Sequence, residues 1–167
     1  MKKVLFSVIA LMALSFAASA QKDNLKFSAG PEIGFAIGNF SNTHSFGIGA
    51  SAQLEFSIQE KVNATVTAGV LSFTGKSAGS NVKYQGQSFI PLRAGVKYFL
   101  TPGVYGALQA GVAFLNNGGG TAFSYSPQIG YEFKTKTDKA LDLGFKYEGY
   151  SKNGSLGAIG LRVAYVF

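Results

Sequence analysis

Few side chains in this sequence are equipped for chemistry. There is one histidine, His44, next to Ser45, and there is no cysteine. A nucleophile and its general base must come within hydrogen-bond reach of each other. Adjacent loop residues point in different directions, so His44 and Ser45 do not make such a pair by themselves. A second loop serine brought up by the fold, such as Ser41, Ser80 or Ser151, would be required. The acids are dispersed and show no metal-ligand spacing, so no metal and no cofactor is expected and the chain reads as non-enzymatic. The charges that do form a pattern are Glu32, Glu55, Arg93, Lys97, Glu132, Asp142, Lys146, Glu148 and Arg162. Each falls on the polar phase of a segment in which polar and apolar residues alternate. Acids and bases mixed on one face suit ion pairing, so these nine are expected to form a structural charge network.

Alternation with period two is the signature of a strand. Eight such runs are legible: Leu25 to Gly38, Gly47 to Gln59, Val62 to Thr74, Ser88 to Leu100, Val104 to Leu115, Ala122 to Lys134, Ala140 to Tyr150 and Ser155 to Phe167. All are longer than the usual globular strand of about five or six residues and match the roughly nine to eleven that a tilted strand needs to cross a membrane. The links after even-numbered strands are tight, whereas most of those after odd-numbered strands are longer and rich in Gly, Asn and Ser. Short turns on one rim and longer loops on the other are the asymmetry of a membrane barrel. Pro31, Pro91 and Pro127 interrupt strand runs and are expected to mark bulges or strand ends near the rims.

One phase of every run is oily, for example Ile33 and Phe35, Val66 and Val70, Leu92 and Val96, Leu141 and Leu143, and no charge falls on it. The other phase is polar and rich in glycine. Eight strands enclose an interior only wide enough for side chains to fill, and the oily set is far too bulky for that volume. The polar face must therefore line the lumen and the oily face must meet lipid. Aromatic residues gather near both strand ends, Phe27, Phe56, Tyr98 and Phe133 on one side and Phe35, Phe114, Phe123 and Tyr147 on the other, as two interfacial girdles would. The expected fold is all-β, an eight-stranded antiparallel up-and-down transmembrane β-barrel.

Lys2 and Lys3 precede an apolar run from Val4 to about Ala18, and Ala18-Ser19-Ala20 supplies the small-x-small pattern cleaved before Gln21. Residues 1–20 read as a cleaved secretory signal for Sec export, with cleavage between Ala20 and Gln21, and 21–167 as one barrel domain. The run is short for a spanning helix, and without cysteine it has no acceptor for lipidation. The formal net charge of +7 includes Lys2 and Lys3, and the other basic residues are scattered. Such a distribution is no nucleic-acid footprint.

The chain ends Leu161-Arg162-Val163-Ala164-Tyr165-Val166-Phe167. This ending resembles the terminal signature of bacterial outer-membrane barrels, and the mature chain as a whole resembles the OmpA/OmpX-like small outer-membrane barrels, within the outer membrane protein beta-barrel domain family. Unlike girdles that carry tryptophan, this chain has none. The resemblance implies a bacterial outer-membrane location, recognition of Tyr165 and Phe167 by the barrel-assembly machinery, and a monomer surrounded by outer-membrane lipid. Lys76 and Lys83, in a loop without acids, suit lipopolysaccharide phosphates, although a plainly solvated loop has the same composition. Two functions stay open: a structural or surface-interaction platform with a side-chain-filled lumen, its loop partner unknown, and a narrow porin-like channel for small solutes or ions. Pairing of the nine lumen charges across so narrow a space favours the platform.

Overall fold

Strands with one oily and one polar face satisfy their backbone groups most economically by pairing with a neighbour through a tight turn. In the computed structural model, which describes residues 25–77, 83–116, 118–135, 139–152 and 154–167, this pairing runs through the whole chain. The strands are β1 (Leu25–Ile37), β2 (His44–Gln59), β3 (Val62–Gly75), β4 (Gln87–Phe99), β5 (Val104–Leu115), β6 (Gly120–Lys134), β7 (Ala140–Lys152) and β8 (Gly154–Val166), with a short 3-10 helix at Gly38–Asn42. Each is antiparallel to its sequence neighbour, and β8 returns to β1 to close the barrel. The signal segment 1–20 and the Ala20/Gln21 cleavage point lie outside the described residues.

Faces separate as the alternation requires. Among the described strand residues no outward position carries Asp, Glu, Lys or Arg, and outward Ile48, Leu108, Phe123 and Ile129 are more than half exposed. The nine charges of the sequence pattern are all buried on the inward side. Aromatic contacts cluster at both rims: Phe167 lies 5.7 Å from Phe27 and 4.9 Å from Tyr165 at one end, and Phe35 lies 5.4 Å from Phe46 at the other.

Three expectations are corrected. The inward face is not polar throughout: toward the loop rim Leu71, Phe73 and Phe89 point inward and join Phe40 of the 3-10 helix and Tyr150 in a buried apolar cluster. The rim asymmetry holds only for the links after β1 and β3, because β5 and β6 pair as far as Leu115↔Gly120 and β7 and β8 as far as Lys152↔Gly154. The three prolines mark neither bulges nor strand ends. Pro31, Pro91 and Pro127 pair with Ala50, Ala113 and Leu108 on one side. On the other side the ladder skips them and resumes in the same register, from Ala29↔Tyr165 to Glu32↔Arg162 in the case of Pro31. A missing N–H removes a bond without shifting the strand. The register shifts that do occur lie in β2, between His44 and Gly47 and between Ser57 and Gln59.

Candidate functional site: the charged lumen

Strand register places the nine charges in two tiers. Lys97 on β4, Glu55 on β2, Glu132 on β6 and Asp142 on β7 lie toward the short-turn rim. There the Lys97 ammonium donates to Glu55 Oε1 at 2.9 Å, to Asp142 Oδ2 at 3.0 Å and to Glu132 Oε1. The three carboxylates offer oxygens within 4.8 Å of one another, an arrangement able to hold a metal ion, but here they hold an ammonium. Uncharged donors complete the tier: Tyr105 Oη donates to Asp142 Oδ1 at 2.7 Å, and Gln53 and Asn63 donate to Glu55 at 2.8 and 3.1 Å. The Tyr105 ring lies 3.9 Å from the Lys97 ammonium, close enough for its π face to add to the charge pairing. Lys26, partly exposed at the rim, is 3.9 Å from Glu132.

Four residues further along β7, roughly 13 Å at about 3.3 Å per residue, the second tier begins with Lys146. It donates to Glu32 at 2.6 Å and to Glu148 at 2.7 Å. Glu148 also accepts from Arg93 Nη2 at 2.8 Å and from Tyr150 Oη. Arg162 sits opposite Glu32 across the closing strand pair. Its Nε is 3.7 Å from the Glu32 carboxylate and donates to Ser51 Oγ at 2.9 Å, while Nη2 donates to Ser28 Oγ at 3.0 Å. The barrel brings Glu32 to Arg162 and gives Asp142 and Glu148 to other cations. Gln109, Gln53, Thr65 and Thr67 form an uncharged net, with Gln109 Nε2 donating to Gln53 Oε1 at 3.0 Å and to Thr67 Oγ1 at 2.9 Å.

Above the second tier the lumen is apolar. Phe89 stacks on Tyr150 with ring centroids 4.0 Å apart, and Phe40 meets Phe73 edge-on at 4.9 Å. These residues escaped the sequence reading, although Phe73 and Phe89 share the phase of Thr67 and Arg93. A second signal was the glycines facing them: a Cβ on Gly47 would come within 2.8 Å of the Phe73 ring. His44 stacks on Phe40 at 4.6 Å; its Nδ1 is 2.8 Å from Thr43 Oγ1 and its Nε2 3.1 Å from the Gln85 carbonyl. Both ring nitrogens are engaged in holding the loop over the plug, and the Ser41 hydroxyl is turned to the Gly38 carbonyl at 2.7 Å. Ser80 lies outside the described residues. A cavity of about 430 Å³ opens at the short-turn mouth beside Lys26, Phe99 and Glu132, and one of about 230 Å³ opens at the loop mouth beside Leu115, Tyr150 and Leu156. The charged tiers and the aromatic plug lie between them.

This arrangement, an oily exterior around a packed, charge-paired interior closed from β1 to β8, is the fold of the small outer-membrane barrels. The solved structures similar to the chain include Neisserial surface protein A, with a TM-score of 0.59 and 14% identity over 85% of this chain and 95% of that one. The Yersinia pestis outer membrane protein Ail in a phospholipid nanodisc gives 0.57 and 11% over 87% and 100%. Ail in complex with the heparin analogue sucrose octasulfate gives 0.53 and 16% over 86% and 98%. No family model and no curated protein matches the chain.

Proposed function

We propose that the chain is an integral protein of the bacterial outer membrane, acting as a closed structural or surface-interaction platform and not as an enzyme or an open channel. The observation that carries this reading is the pairing of a charge-free, exposed apolar exterior with an interior blocked twice, by ion pairs and by the aromatic cluster. Lipid is the solvent in which that exterior is favourable, since a charge at mid-bilayer on such a face costs about 2–4 kcal/mol. Residues 1–20 serve as the export signal, and 21–167 form the barrel. The nine lumen charges act structurally. Tyr165 and Phe167 present the last strand to the assembly machinery, and the barrel works as a monomer. Lys76 and Lys83 suit an anionic surface such as lipopolysaccharide; the sulfated ligand captured with Ail is the same class of chemistry on a related fold.

Two measurements test the reading. After expression in a Gram-negative host the chain should fractionate with the outer membrane and migrate on gels as a heat-modifiable band. Refolded protein in a planar bilayer should show no steady conductance. A sustained ohmic current would replace the platform with the porin-like channel, and recovery in the soluble fraction would end the membrane reading altogether.

A further inference from the structure

The two charged tiers are not balanced alike. Toward the short-turn rim one buried cation, Lys97, serves three carboxylates, with Lys26 assisting from the rim. In the second tier Arg93, Lys146 and Arg162 face, among the described residues, only Glu32 and Glu148. That tier therefore carries one positive charge in excess, inside a lumen where unpaired charge is costly. Its polar atoms are also incompletely used. Arg93 Nε and Nη1, Ser124 Oγ, Ser126 Oγ and Arg162 Nη1 are buried and have no hydrogen-bond partner, and their residues are at most 3% exposed.

Four of these five atoms fall in one part of the lumen. Arg93 is level with Gly111 on β5, Gly111 with Ser124 on β6, and Ser124 with Tyr150 on β7. Arg93 on β4 pairs with Glu148 on β7, and β5 and β6, which carry Gly111 and the two serines, lie between those strands in the barrel order. In the same β6–β7 register Ser126 stands opposite Glu148, but it does not bond to it: that carboxylate already accepts from Arg93 Nη2, Lys146 and Tyr150. Guanidinium N–H groups can only donate, and both hydroxyls can donate as well. The hydroxyl oxygens could accept from the guanidinium, but neither does so here; the two nitrogens are left without an acceptor, and the surplus charge of the tier favours a negative one.

We propose that this part of the lumen is a binding site for a small monovalent anion of the halide class, held by Arg93 Nε and Nη1 and by the hydroxyls of Ser124 and Ser126. The anion would neutralise the second tier and lock the Arg93 side chain across the barrel. Crystals of the barrel grown in bromide should show an anomalous peak within hydrogen-bond distance of Arg93 and at least one of the two serines. Unfolding in urea from lipid vesicles should be less favourable in chloride than in gluconate at equal ionic strength, by roughly tenfold in the unfolding constant when chloride stands about ten times above its Kd. The Ser124→Ala/Ser126→Ala double variant should lose that difference. Ordered water with no anomalous signal at this position, or a bromide peak only elsewhere, overturns the proposal. Equal stability of the parent in the two anions overturns it as well. If the double variant does not refold, the anomalous map of the parent decides alone.

Discussion

Lys97 carries more of the interior than any other charge. It is the one buried cation among Glu55, Glu132 and Asp142, whereas Arg162 shares Glu32 with Lys146 and makes its hydrogen bonds to two serines. Removing one partner from a buried cluster leaves uncompensated charge and costs about 3–5 kcal/mol; losing charged hydrogen bonds to neutral hydroxyls costs about 1.5–3 kcal/mol. Lys97→Met should therefore destabilise the barrel by about 3–5 kcal/mol and Arg162→Ala by about 1.5–3 kcal/mol, read as shifts of urea unfolding from lipid vesicles. The reverse order would show that charge count does not govern the lumen. The sequence pattern marks both residues as inward and charged. It cannot rank them, because the ranking depends on which strands face each other across the lumen, information that period-two alternation does not contain.

At the scale of the strands, the oily phase makes a claim that depends on depth. Val66 lies mid-strand in β3 and Ile58 at the short-turn end of β2, and both face outward. Val66→Arg should cost about 2–4 kcal/mol of folding free energy in bilayers and Ile58→Arg about 0–1 kcal/mol, following the depth dependence of a charge on a lipid face. Similar losses at the two sites would contradict the membrane placement. The matching substitution at inward Thr67 is no neutral control: that side chain is buried and donates to Gln53 at 3.0 Å, so an arginine there has no room. Strand number, order and facing were all legible, because a period-two pattern forces them once one face must be filled and the other must meet lipid. The aromatic plug and the silent prolines were less so. Phe73 and Phe89 are apolar residues on the polar phase and look like noise until the 3-10 helix delivers Phe40 onto them. A proline that costs one ladder bond leaves the same sequence trace as a bulge.

For the molecule as a whole, the two blocks act in series. The aromatic cluster holds Phe40, Phe73, Phe89 and Tyr150 at the loop end, and the ion pairs lie beneath it. Phe40→Ala removes one ring and leaves both the remaining rings and the salt bridges, so planar-bilayer recordings of this variant should stay as silent as those of the parent. A current appearing with this single change would mean that the charged tiers are permeable and that one aromatic side chain is the gate.

The closing pair of strands sets an order in time. Seven of the eight pairings join neighbours in sequence, but Arg162 reaches Ser28 across 134 residues of chain. Contacts between such distant segments carry the largest loop-closure cost and slow folding most, so the hairpins can form while β1 and β8 are still apart, and the zippering of these two strands is expected to come last. Gly30 lies on that seam: a Cβ there would fall 2.0 Å from the Val163 carbonyl oxygen. Gly30→Ala should therefore slow the final refolding phase into vesicles while earlier strand formation, followed by circular dichroism, keeps its rate. The first and last strands thus act as the latch of the assembly, and Glu32 acquires its Arg162 partner only when that latch shuts.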